Sequence, residues 1–268
     1  VPFGHEPSAR FARCDIDEDR FLLSLHKRSL GADAKGIVSR LCGALQAPPA
    51  FAEQACDRLQ HADLVHFGHE GGSGTDPMCK LYLEYAAAFR QHLSRPSSDN
   101  ESVLIFEAYK WRRANNRVQA VTRYRCRPRL GLRALRERIA VALPGERHAA
   151  PRHRVGAFLD AVCTRMAARD VLLMDVEETA NPRRSIDINA YDANLKVADL
   201  AEAIVALADS LGVAQVRARA FVARVGPRRL GHLSAGIDRA GEAFATVYFG
   251  VEPGRAGEAE TGAKRPPP

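Results

Sequence analysis

The sequence predicts an α+β fold in which a closed, antiparallel, ten-stranded β-barrel is surrounded by pairs of amphipathic helices. Five strand–turn–strand segments recur along the chain, and such hairpins require antiparallel pairing. The segments between them carry apolar residues at helical spacing, and amphipathic helices need an apolar sheet face to cover. A closed barrel is favoured over an open sheet with a solvated polar face, because ten strands are many for an open sheet and closure removes its edges.

The hairpins are read from alternating runs that are separated by turn-forming residues. Their paired strands are predicted at residues 10–14 and 21–26, 63–69 and 78–85, 102–111 and 118–127, 171–177 and 185–191, and 230–237 and 244–251. The turns are predicted at residues 15–19, 71–74, 114–116, 181–182 and 238–241. Helix pairs separate most hairpins, but only one short helix, at residues 86–93, fits between the second and the third.

The helix pairs are predicted from apolar residues three or four positions apart. These stripes are Ile37, Leu41 and Leu45; Phe51, Ala55 and Leu59; Leu132, Leu135 and Ile139; Val155, Leu159, Val162 and Met166; Leu200, Ile204, Leu207 and Leu211; and Val213, Val216 and Ala220. Amphipathic helices of this kind suit the outside of a barrel whose outer face is apolar.

The composition is that of a folded globular chain of 268 residues, of which 46% are apolar. One barrel domain is expected over residues 1–252, followed by a disordered Gly-, Ala-, Glu- and Pro-rich tail at 253–268. No run approaches the ~18 apolar residues of a membrane span, and no signal peptide is expected. Six scattered cysteines without a CxxC pair indicate free thiols. A cytoplasmic protein without membrane contacts is therefore expected, and we expect it to be a monomer.

The polar face of the predicted strands carries basic, acidic and tyrosine side chains, which suit a water-filled barrel interior that binds ligands. In one strand Lys80, Tyr82 and Glu84 share a face, because successive side chains alternate. Tyr191 and Tyr248 fall on the polar faces of other strands, where a merely solvated surface does not need tyrosine. A ring of ten strands leaves a lumen wide enough for ligands, since about eight strands is the size that side chains alone fill.

Four strands carry the other residues of the predicted polar face, and the same alternation assigns their side chains to it. The residues on it are Arg123 and Arg125 in the sixth strand, Asp175 and Glu177 in the seventh, Asp187 and Asn189 in the eighth, and His232 and Ser234 in the ninth.

The succession of hairpins and helix pairs resembles the ABBA-type prenyltransferases, over residues 9 to 251. The local match is Lys80-Leu81-Tyr82, since indole-type members use a Lys-x-Tyr strand motif against the allylic diphosphate. Arg123-Tyr124-Arg125 is similar to the paired basic strand residues of the family. The resemblance implies transfer of an allylic prenyl group from its diphosphate to an aromatic, indole or peptide side-chain acceptor inside the lumen.

The resemblance also implies roles for individual residues. The diphosphate would be bound by Lys80, Tyr82, Arg123, Arg125, Tyr191 and Tyr248. The acceptor would lie against Asp175, Asp187, Asn189 and His232. A carboxylate would then remove the acceptor's proton, with Glu84 as the first candidate and Glu177 as the second.

No metal is required by this reading, although Mg²⁺ is a possible cofactor. Asp175, Glu177 and Asp187 could hold Mg²⁺ that bridges to the diphosphate, or receive a cationic acceptor, or simply be solvated hairpin carboxylates. Zinc is not expected, because His66 and His69 point to opposite faces of one strand.

Two other classes of function stay open at the level of sequence. A triphosphate-tunnel hydrolase also has an antiparallel tunnel, but it would need alternating Glu-x-Glu-x-Lys on an early strand, which is absent. A non-enzymatic basic barrel could bind RNA or a peptide, and Arg112, Arg113 and Arg117 cluster at one predicted hairpin tip. Nucleic acid is the less expected partner, because the signal rests on that one tip.

Overall fold

A computed structural model describes residues 2–71, 76–95, 101–113, 119–179 and 181–255, except the side chains of residues 181–183 and 255. The strands are β1 (Pro2–Ala12), β2 (Asp15–Asp17), β3 (Arg20–His26), β4 (Leu64–Glu70), β5 (Met78–Glu84), β6 (Val103–Arg112), β7 (Gln119–Cys126), β8 (Leu172–Glu178), β9 (Asn181–Asn189), β10 (Leu230–Ile237), β11 (Ala243–Phe249) and β12 (Glu252–Arg255).

Within these residues, ten strands close into an antiparallel ring, as predicted. The order runs from β1 to β3 and then through β4 to β11 in sequence, each strand pairing with the next. The last strand returns to the first, with Ser8 opposite Tyr248 and Phe11 opposite Ala245. The ring therefore has no free edge along these strands, and its side chains alternate between a lumen and an outer surface.

The first strand is longer than the sequence predicted. It begins at Pro2, and its first residues pair with β12, so that residues 253–255 belong to the sheet rather than to a tail. Its other end forms a small hairpin with β2. Outside the described residues lie most of the turn predicted at residues 71–74, the whole turn predicted at 114–116, Arg117 and the chain beyond residue 255.

Helices cover the outside of the ring. They are α1 (Ala34–Ala44), α2 (Pro49–Arg58), α3 (Ala86–Leu93), α4 (Leu132–Ala142), α5 (Ala149–Cys163), α6 (Ala201–Ser210) and α7 (Gln215–Val225). The short α3 lies between β5 and β6, as the single predicted helix between those hairpins does. In the described part of the chain, no helix combines the length and the apolar character needed to cross a membrane.

The apolar core lies between the helices and the outer face of the barrel. One large cluster joins α4 to α7 with that face, and it includes Phe158 of α5 and Leu233 of β10. A second cluster joins α1 and α2 to β4, β5 and β6. There Trp111 of β6 is fully buried, and its Nε1 donates a hydrogen bond to the Leu45 carbonyl at 2.9 Å. Because the apolar residues of the strands face outward, the lumen receives the polar ones.

Candidate active site in the barrel lumen

The strand β5 carries all three kinds of side chain that line the lumen: basic, aromatic and acidic. On β5, Lys80, Tyr82 and Glu84 point inward, while the apolar residues between them pack toward α2 in the core. Inward residues of one strand are about 7 Å apart, at roughly 3.4 Å per residue. The lumen therefore passes from a cation to an aromatic ring to a carboxylate along a single strand.

The cations form a basic tier, which is defined here as Arg20, Lys80 and Lys110. Lys80 and Lys110 lie directly opposite each other on β5 and β6. Arg20 and Lys80 both form ion pairs with Glu70 of β4, and Arg20 Nη1 lies 3.6 Å from Asp17 Oδ2. All three cations are buried, and Arg20 Nε has no hydrogen-bond partner among the described residues. This end of the lumen is a cavity of about 1130 Å³.

An aromatic tier follows, formed by Tyr82, Phe106, Tyr124 and Tyr248. The rings of Tyr82 and Tyr124 are 5.9 Å apart, and Phe106 meets Tyr124 edge-on at 5.8 Å. Lys110 Nζ lies 6.0 Å from the centre of the Tyr124 ring, so this tier adjoins the basic one. Burial raises the pKa of both Tyr82 and Tyr248, and nearby Arg20 acts in the opposite direction on each. These phenols are therefore neutral donors at physiological pH.

An acidic cluster lies at the far side of the aromatic tier, and it comprises Glu6, Asp187, Tyr191 and His232. His232 Nδ1 donates to Asp187 Oδ2 at 2.7 Å, and its Nε2 lies 3.7 Å from Glu6 Oε2. Tyr191 donates its hydroxyl hydrogen to the other oxygen of Glu6. The imidazole also stacks on Tyr248, at a centroid distance of 3.8 Å.

The two carboxylates keep His232 charged. Burial by itself would lower the pKa of the imidazole, but the charges and hydrogen bonds of Asp187 and Glu6 outweigh it and raise the pKa to about 10. At neutral pH the trio therefore consists of one imidazolium between two carboxylates. Desolvation, and after it the charge of Glu6, raises the pKa of Tyr191, which stays protonated.

A local turn brings Tyr191 into this cluster. Asn189 ends β9 on the lumen side, and its Oδ1 accepts a hydrogen bond from the Tyr191 backbone nitrogen at 3.2 Å. Asparagine favours such turns because its side chain bonds to the backbone two residues on. The chain thus leaves the strand and directs the tyrosine hydroxyl to β1.

A second polar relay runs across β3, β4 and β5. His66 Nε2 donates to Glu84 Oε2 at 3.0 Å, because a carboxylate can only accept. His66 Nδ1 then accepts from the Ser24 hydroxyl at 2.7 Å. All three side chains line the same cavity as the acidic cluster and the aromatic tier, and the volume of that cavity is about 340 Å³. This lies within the size range of small-molecule sites.

Most of the sequence-predicted site residues meet in this lumen. Lining the cavity of about 340 Å³ are Tyr82, Glu84, Asp187, Asn189, Tyr191, His232 and Tyr248, and Lys80 lines the basic end. These predicted residues come from β5, β9, β10 and β11, and Tyr191 comes from the turn that follows β9.

The placement of Arg123 and Arg125 on the inner face was wrong. Tyr124 between them is the residue that points into the lumen, so both arginines lie on the outer face of β7. Arg123 Nε instead donates to Glu107 Oε1 at 3.2 Å, outside the barrel. This part of the outer surface is partly open to solvent, and the Arg123 side chain is 42% exposed. Charged residues are therefore tolerated on the outer face of β7 as well as in the lumen. Charge alone therefore misidentified the inner face.

The placement of Asp175 and Glu177 was wrong for the same reason. Met174 and Glu178 are among the inward residues of β8, while Asp175 forms an ion pair with Arg138 of α4 and Glu177 is exposed on the outer surface. Neither residue can contact an acceptor in the lumen, and Glu177 cannot act as the base there. Because Asp187 lies on the opposite face of the sheet, the three carboxylates cannot share one Mg²⁺ ion.

Sequence reasoning missed several lumen residues: Glu6, Arg20, His66, Lys110 and Tyr124. A signal was available for Lys110, because this basic residue alternates with Tyr109 and Trp111, which pack in the core outside the barrel. A bulge between Leu104 and Phe106 shifts the alternation only in the first part of β6, before Lys110. Glu6 lies in a segment for which no strand was predicted.

Comparisons with solved structures match this architecture at low sequence identity. The 5-dimethylallyltryptophan synthase of Streptomyces coelicolor aligns over 91% of this chain and 80% of its own, with a TM-score of 0.60 and 16% identity. The 6-dimethylallyltryptophan synthase of Micromonospora olivasterospora, solved with DMASPP and Trp, aligns over 92% and 81%, with a TM-score of 0.59 and 13% identity.

A third solved structure is similar to the same degree. The prenyltransferase PriB, in a ternary complex with L-tryptophan and dimethylallyl thiolodiphosphate, aligns over 94% of this chain and 82% of its own, with a TM-score of 0.58 and 17% identity. No protein-family model matches the chain, and no curated protein matches it by sequence. The closed ring of ten strands, its enclosing helices and these alignments agree with the resemblance found in the sequence, and the chain has the fold of the ABBA-type prenyltransferases.

Proposed function

We propose that this chain is a prenyltransferase that moves an allylic prenyl group from its diphosphate to an aromatic, indole or peptide side-chain acceptor inside the barrel. The observation that carries the proposal is the order of groups along the lumen: cations, then aromatic rings, then carboxylates. An allylic diphosphate has the same polarity, with an anionic head and an apolar tail. The order binds such a donor in one direction and presents its reactive carbon to the acidic side.

The basic tier would hold the diphosphate. Lys80, Lys110 and Arg20 converge from three strands, and hydrogen bonds from cations to phosphate oxygens are among the strong ones. Glu70 forms ion pairs with both Arg20 and Lys80, and a diphosphate would replace it as their counter-ion. The buried position strengthens these contacts relative to water, so we propose that the protein needs no metal to bind the donor.

The aromatic tier would stabilise the reacting carbon. As the allylic C–O bond breaks, its electron pair leaves with the diphosphate and an allylic cation remains. Faces of tyrosine and phenylalanine rings attract cations, and they exclude water that would convert the cation to an alcohol. Tyr82, Tyr124 and Tyr248 surround the middle of the lumen at the position where the prenyl tail would lie.

The acceptor would lie at the acidic side and attack the cation. A new bond forms between the acceptor atom and the allylic carbon, and the acceptor then loses one proton. We propose Glu84 as the group that receives it, with His66 and Ser24 holding the carboxylate in place through their hydrogen bonds. Asp187, Asn189 and the other groups at this side would orient the acceptor.

Two of the solved structures support the proposal. The 6-dimethylallyltryptophan synthase was solved with DMASPP and Trp, and PriB with L-tryptophan and a thiolodiphosphate. Their pairing of a prenyl diphosphate with a small aromatic acceptor is consistent with the two-sided lumen of this chain. Neither the triphosphate hydrolase nor the RNA-binding alternative is favoured by these neighbours.

The test is a transfer assay with dimethylallyl and geranyl diphosphate and a panel of aromatic and peptide acceptors, read by mass spectrometry. Lys80→Met is expected to reduce kcat/KM for the diphosphate by about 10- to 100-fold, because a hydrogen bond to a charged group contributes ~1.5–3 kcal/mol. Arg123→Met is the matched control, since that cation lies outside the barrel, and it should leave kcat/KM within about threefold of the native value. Addition of EDTA is expected to leave transfer unchanged.

The proposal fails if no prenyl diphosphate binds to the protein or is consumed by it. It also fails in its assignment of the site if Lys80→Met retains full kcat/KM while Arg123→Met loses it. Loss of transfer on chelation, restored by Mg²⁺, would overturn the metal-free binding of the donor.

A further inference from the structure

Asp187 is a buried carboxylate with one oxygen that is not used. The residue is only 3% exposed, and it lines the cavity beside the aromatic tier. Its Oδ2 accepts the hydrogen bond from His232, whereas Oδ1 has no hydrogen-bond partner among the described residues. An unpartnered carboxylate oxygen buried in a protein is unfavourable, because it has lost water without gaining a donor.

The charges around this oxygen are predominantly negative. Glu6 and Asp187 are two carboxylates that face a single imidazolium, so the cluster retains one net negative charge. Glu84 adds a further carboxylate to the wall of the same cavity, where His66 is hydrogen-bonded to it. The strong cations of the lumen are in the basic tier, on the opposite side of the tyrosines.

A ligand that completes this site must donate a hydrogen bond and carry positive charge. A neutral hydroxyl could satisfy Oδ1, but it would leave the excess charge in place. An anionic group would add to it, and like charges in a partly dry cavity repel strongly. An ammonium or a guanidinium satisfies both requirements, since each is a cation with only donor hydrogens.

The other residues that line the cavity indicate the size and shape of the rest of the ligand. The cavity of about 340 Å³ has room for one small molecule, and Phe106 and Tyr248 form its apolar sides. A flat ring packs on such surfaces and lies next to the aromatic tier. The cationic group would then extend from the ring to Asp187.

We propose that the acceptor is an aromatic compound with a positively charged amine or guanidine group, and that Asp187, supported by Glu6, binds that group. The inference rests on the proposed prenyl transfer only in that it identifies the bound cation as the acceptor. The cavity and its negative charge are present without the prenyl donor. It assigns to Asp187 the selection of a cationic over a neutral or anionic substrate.

The experiment measures binding by isothermal titration calorimetry, without any prenyl diphosphate. The probes are three matched pairs of amine and alcohol: tryptamine and tryptophol, tyramine and tyrosol, and phenethylamine and phenethyl alcohol, together with indole-3-propionate as an anion. In the native protein at least one amine is expected to bind roughly 10- to 100-fold more tightly than its alcohol. Asp187→Asn should reduce that ratio to about threefold or less, because it removes the charge and keeps the size.

Asp175→Asn is the matched control, since Asp175 is a carboxylate of the neighbouring strand that faces away from the lumen. It should retain the native preference for amines. The native protein alone provides the comparison of amine with alcohol, so the test does not depend on the folding of a variant.

The inference is overturned if no pair shows a preference for the amine, or if indole-3-propionate binds more tightly than tryptamine. It is also overturned if Asp187→Asn keeps the full preference. Failure of the prenyl transfer itself is a separate result: amine binding would persist without turnover. Conversely, efficient transfer to the alcohols with no preference for amines would support the proposed function and remove this inference.

Discussion

Raising the pH is expected to destabilise the protein through His232, and comparison with His232→Gln isolates the effect. The folded-state pKa of this histidine is about 10, against 6.5 for an ordinary histidine. Its folded-state pKa is the higher one, so its stabilising contribution is complete below pH 6.5. That contribution is lost as the pH rises through 10, because the folded state binds a proton that the unfolded chain no longer holds.

The magnitude follows from the difference between the two pKa values. A change from 6.5 to about 10 corresponds to roughly 5 kcal/mol at ~1.4 kcal/mol per pH unit. The source is the pair of carboxylates, Asp187 and Glu6, which act on an imidazole whose side chain is only 15% exposed. Tyr191 and Tyr248 are the other titratable groups that touch this site, and burial keeps both protonated over the same range.

The assay is urea unfolding of the native protein and His232→Gln at pH 6.5, 7.5, 8.5 and 9.5. Fluorescence of Trp111, the single tryptophan, reports the transition, since its indole is fully buried in the fold. The difference in unfolding free energy between the two proteins should shrink by about 1.4 kcal/mol for each pH unit above 6.5. Titrations of other groups cancel in this difference.

Two results would refute the reasoning. One is a difference between native protein and His232→Gln that does not change with pH. The other is an imidazole resonance of His232 that titrates near pH 6.5 in nuclear magnetic resonance spectra, as an unpaired histidine would.

Three further predictions concern the lumen and the surrounding shell. Tyr248→Leu is expected to raise the ratio of prenyl alcohol to transferred product, measured by chromatography, because a ring that excludes water is lost; an unchanged ratio would contradict that role. Arg58→Met should lower the free energy of unfolding by about 1–3 kcal/mol, since buried Glu107 loses a donor at 3.0 Å, and an unchanged denaturation midpoint would argue against it. Phe158→Ala should cost about 3–5 kcal/mol of stability while the affinity for diphosphate stays native, because that ring is in the helix–barrel core; a weakened diphosphate affinity in the folded variant would contradict the separation of core and site.

Local sequence was sufficient for most of the strands and helices, and the number of hairpins favoured a closed ring. Hairpins at regular intervals and apolar stripes at helical spacing reflect interactions between near neighbours, which propensity and periodicity report directly. The order Lys80, Tyr82 and Glu84 was readable for the same reason. Their strand has a clean apolar face between them, so only one assignment of inside and outside was physically sensible.

The identity of the inner face on β7 was decided only by the tertiary structure. Alternation divides Arg123 and Arg125 from Tyr124, but it does not say which set points inward when no helix fully covers the outer surface. When a strand has polar residues on both faces, its sequence pattern no longer shows which face points toward the lumen. The neighbouring strands then decide, because the register of the whole ring must bring the aromatic residues together.

The sequence by itself determined that this chain forms a helix-wrapped antiparallel ring with a polar, tyrosine-bearing interior. The tertiary structure alone decided that Glu6, Asp187 and His232 meet, since they come from three strands separated by long stretches of chain and are joined where β1 closes on β11. The physical reason is that local patterning acts over a few residues. The charge of a buried site depends instead on which distant side chains the closed ring places within hydrogen-bonding distance.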